Sequence, residues 1–246
     1  MLGVVVVVAA ALGVARVAPF PFLLDATARD VALWRMPARG QPPAVYLTFD
    51  DGPNPEATPQ VLDALARQGA RATFFLIGKH VTGETAPLVR RMADEGHGVA
   101  LHTDGRWLMA KPAADLAAHV DALAAHIAGL TGVRACRAFR PHGGARSASM
   151  LQGLRLGGYR LVGWGAFGWD WNWFRRPTAR ATAGRLARRA RDGFIMVVHD
   201  GDHRSSRADR GHAAGTVDAL VPMLRQRGFE FRTICEDLGD ADAAKR

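Results

Sequence analysis

Cysteine is scarce in this chain: two residues among 246, Cys136 and Cys235, too far apart to form a C-x-x-C pair. Their spacing excludes a zinc ribbon and a dithiol redox motif. Each borders an apolar, strand-like stretch, so buried free thiols are the expectation and a disulfide is the alternative. Nor is there a basic run interleaved with aromatics or a known nucleic-acid-binding motif, so the net charge of +9 does not indicate a nucleic-acid partner. The arginines are scattered through helical text such as RLARRARDG (185–193), and they favour anionic partners only in general terms. Internal repeats and low-complexity linkers are absent. A charged content of 22% against 48% hydrophobic excludes a disordered chain.

What is present begins with an apolar opening, MLGVVVVVAAALGVARVAPFPFLLDA, uncharged up to Arg16. Its uninterrupted part is short for a bilayer span and of the right size for a signal-peptide core. The lack of N-terminal positive charges and the Pro19 that follows Ala18 oppose cleavage, and an anchor running to Leu24 with Arg16 snorkelling is the competing reading. A buried N-terminal strand or helix is the third. The first two readings place the protein in the cell envelope, secreted or membrane-anchored. The resulting organisation is a signal or anchor segment at 1–24, a linker at 25–43, one domain at 44–236 and a tail at 237–246.

Through the domain, apolar strand-like runs alternate with amphipathic helical ones. The strand candidates are 44–50, 72–77, 98–102, 136–140, 159–165, 194–199 and 229–234. Between them, series such as Leu116, Val120, Leu123, Ile127 and Leu130 repeat at helical spacing. This alternation predicts an α/β fold with about seven parallel strands, one short of a full barrel. Asp50 and Asp51 end the first strand, His102 the third, Arg140 and His142 the fourth, and His199 and Asp200 the sixth, while Asp170 follows the fifth. In a parallel barrel the C-terminal strand ends share one face, where active sites form. Taken singly, TFDDGPNP (48–55) also fits a solvated Asp-Gly-Pro turn. The aromatic stretch GWGAFGWDWNWF (163–174) could stack on a sugar through Trp171, Trp169 or Trp173, or could be core.

Five motifs in order over residues 44–236, including TFDDGP, ATFFLIG, GHGVALHT, FRPH and MVVHD, resemble the NodB-homology polysaccharide deacetylases, carbohydrate esterase family four. The resemblance implies a distorted, incomplete (β/α) barrel that hydrolyses an N-acetyl amide on a sugar with a divalent metal, zinc or similar. By it Asp50 is the general base, Asp51 and His102 are metal ligands, His199 is the general acid, Arg140 orients Asp50, and Asp170 sits near His199. Val197 takes the place of a leucine that lines the family's acetyl pocket. An acetylated glycan, anionic cell-wall polymer included, is the implied partner. A catalytically inactive carbohydrate-binding barrel and a hydrolase of a non-sugar amide or ester are the alternatives.

Two departures stand out. The family's second motif ends in histidine, whereas Arg106 stands here, and a guanidinium repels a cation. The third motif gains an imidazole, His142, where the family has proline. Three arrangements follow. His142 replaces the missing ligand; or Asp51 and His102 bind metal weakly with water; or Arg106 takes over the cation's electrostatic task on an anionic substrate or oxyanion.

Overall fold

A computed structural model describes residues 2–103, 105–171 and 178–239; Trp173 and the tail from 240 onward lie outside them. In chain order the elements are α1 (Leu2–Val17), α2 (Leu23–Ala26), β1 (Ala32–Leu33), β2 (Ala44–Gly52), α3 (Ala57–Gln68), β3 (Thr73–Ile77), α4 (Ala86–Asp94), β4 (Gly98–His102) and α5 (Ala113–Thr131). There follow β5 (Ala138–Arg140), α6 (Ala148–Leu156), β6 (Arg160–Val162), β7 (Ala166–Phe167), α7 (Ala179–Arg189), β8 (Phe194–His199), α8 (His212–Arg225), β9 (Glu230–Phe231) and α9 (Ile234–Asp237). Short 3₁₀ turns occupy Gly78–His80, Arg106–Ala110 and His142–Gly144.

The strands form one curled parallel sheet in the order β1-β6-β5-β4-β3-β2-β8-β7, with β9 paired to the start of β2, where β3 has not yet begun. Among the described residues β1 and β7 do not pair, so the barrel stays open. The count is nine, not the expected seven. The two additions, β1 and β7, are two residues each and too short to carry an alternation signal.

Residues in β2 to β5 and β8 alternate between two apolar layers. Val45, Leu47 and Phe49 of β2, with Phe74, Leu101, Phe139 and Val198, face the helices. Ala44 and Tyr46, with Phe75, Ala100, Ala138 and Ile195, face the barrel interior. Continuing that period by two places Asp50, His102, Arg140 and His199 on the interior face at the C-terminal mouth. Parity therefore positions the polar set.

The stretch 25–43, read from sequence as a linker, contributes β1, which pairs with β6 (Ala32 opposite Leu161), and buries Ala28, Val31 and Met36. The helix α1 exposes Val4 to Val8, and no described helix is long and apolar enough to cross a membrane.

Cys136 and Cys235, expected as free thiols, are joined as a disulfide. They lie 99 residues apart in sequence but 5.5 Å apart between Cα atoms, because α9 folds back against β4. Closing so long a loop restricts the unfolded chain, a contribution on the order of 4 kcal/mol. Thiol titration in denaturant should therefore find no reactive cysteine until reductant is added. Reduction, or Cys136→Ser with Cys235→Ser, should lower the denaturation midpoint; equal midpoints with and without reductant would refute the contribution.

Candidate active site

Asp50 and His199 are register partners on the adjacent strands β2 and β8, and His102 and Arg140 are partners on β4 and β5. Four functional side chains are thus brought to one rim by strand pairing alone. Arg140, fully buried, donates from Nη1 to Asp50 Oδ1 at 2.5 Å and to Thr48 Oγ1 at 2.8 Å. Its Nε and Nη2 donate to the carbonyls of Val162 and Gly163, both at 3.1 Å, and its guanidinium lies 3.9 Å from the Phe75 ring centre. With its hydrogens aimed at acceptors on β2 and at the end of β6, the cation can hold Asp50 in only one orientation.

Asp51 points elsewhere. Its backbone is left-handed (φ +70°), and the β2–β3 register slips between Asp50 and Gly52. Such a bulge re-aims a side chain, and a non-glycine residue held there is a strained position of the kind found at functional sites. A Cβ at Gly201 would come within 2.0 Å of the Asp51 carbonyl oxygen, so glycine is required for the loop after β8 to lie against this corner.

His102 Nδ1 donates to the Arg140 carbonyl at 2.7 Å, leaving Nε2 aimed at Asp51 Oδ1, 3.1 Å away. That oxygen is buried and has no hydrogen-bond partner. His142 completes the group: one ligand atom from each of Asp51, His102 and His142 lies within 4.8 Å of the others. Ligands about 2.0–2.2 Å from a common ion are themselves roughly 3–3.5 Å apart, so the Asp51–His102 separation fits a shared cation. A carboxylate and two imidazoles are also a donor set suited to a divalent transition metal. Burial opposes ionisation of Asp51, but His102, His199 and His142 outweigh it and hold its carboxyl below the usual range. Burial, with His102 alongside, pushes His142 down to about 4, so its imidazole is neutral at pH 7. Burial also opposes charge on His102, yet Asp51 facing its Nε2 and the nearby Asp50 raise its pKa, so binding of a cation would displace a proton.

On the other side of Asp50, Asp170 accepts from the His199 backbone N–H at 2.6 Å and meets its Nδ1 at 3.0 Å, which leaves Nε2 for the cleft. Burial works against protonation of His199, but Asp170 chiefly, with Asp51 and Asp50, pushes the pKa up to about 9.

These groups line a cleft of about 1230 Å³ together with Arg106, Trp164, Phe167, Trp169 and Trp171. The Arg106 guanidinium stands beside the His142 turn; a Cβ on Gly143 would lie 3.4 Å from its Nε. Val197 is fully buried on β8 beneath His199 and is not brought to the cleft lining. Sequence reasoning missed His212, which begins α8, lines the cleft and places Nε2 3.6 Å from Asp170 Oδ2. It also missed Trp34 and residues Pro19 to Pro21 as cleft-lining groups. Their only signal is aromatic and proline content in a segment read as an extension.

The family profile described as polysaccharide deacetylase matches residues 38–162. A chitooligosaccharide deacetylase from Bradyrhizobium sp. is 34% identical over 206 residues, covering 78% of this chain and 89% of that protein. A peptidoglycan-N-acetylglucosamine deacetylase from Bacillus cereus is 31% identical over 209 residues, covering 82% and 91%. Among solved structures, a family 4 acetyl xylan esterase from Clostridium thermocellum in complex with a cobalt ion superposes with a TM-score of 0.69 at 29% identity, covering 80% of this chain and 90% of that one.

The donor geometry makes a direct prediction. Elemental analysis of the purified protein should find a divalent metal, and His142→Ala should weaken metal affinity by more than about tenfold. Unchanged metal content in that variant would remove His142 from the cation site.

Proposed function

Because this chain belongs to the polysaccharide deacetylase family, we propose that it is a hydrolase that removes N-acetyl groups from a sugar polymer or oligomer by cleaving the amide carbon–nitrogen bond. The observation that carries this reading is the placement of two ion-paired groups suited to proton transfer, Asp50 with Arg140 and His199 with Asp170, on paired strands beside a three-residue cation cradle.

Asp51, His102 and His142 would hold a divalent cation, zinc or similar, which when bound would supply polarisation of the acyl oxygen and a lowered pKa for water. Asp50, held by Arg140, takes the proton of the attacking water as its oxygen bonds to the acyl carbon. His199 gives its proton to the departing nitrogen as the carbon–nitrogen bond breaks, and acetate and a free amine leave. Asp170 keeps the His199 ring oriented and favours the charged form that acid work needs. Trp171, about half exposed on the cleft wall, offers an apolar face to a sugar.

An anionic glycan, such as a cell-wall polymer, is the substrate class that Arg106 at the cleft wall would favour. Arg106 and Arg204 line the cleft, and neither meets a carboxylate among the described residues. An envelope location is supported by the exposed apolar helix α1 and by the disulfide, which persists in oxidising compartments. Membrane association through α1 follows if that segment is retained.

Two measurements test the chemistry and the substrate class. His199 must be protonated to act, so activity should be present below its pKa and lost as pH rises through about 9, or at a lower pH with a cation on Asp51. Asp170→Asn removes the chief raising influence; it should move the alkaline limb of kcat/KM down and reduce kcat about 100-fold. A superimposable pH profile would exclude the His199–Asp170 assignment. Arg106→Gln should raise KM several-fold for carboxylate-bearing peptidoglycan fragments, about 1 kcal/mol, while changing KM for neutral chitooligosaccharides less. Equal effects on both would argue against anion recognition there.

A further inference from the structure

Residues 18–35 lie outside the stretch matched by the family profile and precede the domain boundary read from sequence. In the fold β1 ties their C-terminal part to β6, and a single buried cation gathers the part that precedes it. Arg146 donates from Nε to both oxygens of Asp25 at 2.9 and 3.1 Å. Its Nη1 donates to the carbonyls of Ala18 and Gly144 at 2.8 and 2.9 Å, and its Nη2 to the Phe20 carbonyl at 2.9 Å and Asp25 Oδ2 at 2.5 Å. Both partners are buried, and every guanidinium hydrogen has an acceptor. Asp25 Oδ1 also accepts from Trp34 Nε1 at 3.0 Å. A solvated linker requires no such clasp. A buried pair is retained at a desolvation cost, and it fixes the backbone on both sides of it.

The clasp fixes a strap along one wall of the cleft: Pro19, Phe20 and Pro21, with Trp34 behind them. Phe20 remains 51% exposed, and Trp34 and Trp164 are only half-buried, although all three are large and apolar. From Trp34 a series of rings leads back to the proposed acid: Trp34 to Trp164 at 5.7 Å, Trp164 to Phe167 at 5.6 Å, and Phe167 to His199 at 6.1 Å between centroids. Core packing alone would bury these rings fully. Here they form a stepped apolar wall that starts beside His199 and ends at the strap.

We propose that the strap, with Trp34 and Trp164, is a binding platform for sugar rings beyond the one being deacetylated, so that this chain selects oligomeric N-acetylated glycans over short ones. The proposal rests on the deacetylase reading above. A pyranose ring presents an apolar C–H face that matches flat aromatic and proline surfaces, while its hydroxyl rim stays in water. The strap can bear that load because Arg146 pre-orders it, so little freedom is lost when the glycan docks. Since Arg146 also binds the Gly144 carbonyl, the platform and the His142 turn share one support.

The test uses the full chain and N-acetylated chitooligosaccharides from disaccharide to hexasaccharide. In the wild type kcat/KM should rise with length. Phe20→Ala, which removes an exposed side chain, and Trp34→Ala should each lower the hexasaccharide-to-disaccharide ratio of kcat/KM about fivefold. A purely structural role would depress all lengths alike and leave that ratio unchanged, which overturns the proposal. If Trp34→Ala does not fold, Phe20→Ala decides. Should the wild type release no acetate, tryptophan fluorescence titration with the same series separates the two claims. Affinity that grows with length and weakens in Phe20→Ala keeps the platform and removes the reaction; absent or length-independent binding removes both.

Discussion

The ion pair between Arg140 and Asp50 is withdrawn from water at the centre of the sheet, and the arrangement of the mouth depends on it. Removing each charge from solvent costs several kcal/mol, and such a pair is tolerable only when the remaining hydrogens and lone pairs are also satisfied. Arg140 meets that demand by reaching Thr48 on β2 and the carbonyls at and just beyond the end of β6, Val162 and Gly163, from its own place on β5. One cation therefore fixes the relative position of three strands. Because Asp50 is the register partner of His199, and Arg140 that of His102, the neighbouring strands β8 and β4 carry the proposed acid and the proposed first imidazole of the cation cradle.

Around that pair, three imidazoles of one residue type are driven to different states. His199, against the buried Asp170, is held protonated to about pH 9. His142, buried beside His102 and near Arg106, is held neutral down to about pH 4. His102 has its Nδ1 committed to a carbonyl and its Nε2 turned toward Asp51. The contrast between His199 and His142 suits a proton donor and a metal ligand built from the same side chain. Arg106 stands beside the His142 turn and outside the Asp51–His102–His142 cluster, so its guanidinium is a neighbour of the cation cradle and not a member of it.

Much of this was legible in the sequence because a parallel strand advertises itself twice, through its apolar run and through the polar residue that ends it. Asp50, His102, Arg140 and His199 each terminate such a run, and parity then decides which way they face. The loss of histidine at position 106 and its gain at 142 leave three arrangements open in the sequence, and in the fold the two positions lie side by side. What sequence could not supply was contact between segments with no local signature. Strands β1 and β7 are too short to alternate, Cys136 and Cys235 meet only after 99 residues of chain fold between them, and Arg146 reads as one arginine among many. For the same reason the segment 25–43 was taken for a linker although it supplies a strand, core residues and the Asp25 and Trp34 ends of a buried cluster.

The central claim is that these groups form one hydrolytic site for sugar acetamides. Its most direct test is stoichiometry: acetate and new primary amine measured together on an N-acetylated chitooligosaccharide, for the wild type and for Asp50→Asn. The account predicts one acetate per amine in the wild type and neither product from the variant. Equal product formation by Asp50→Asn, or acetate without amine, would contradict it.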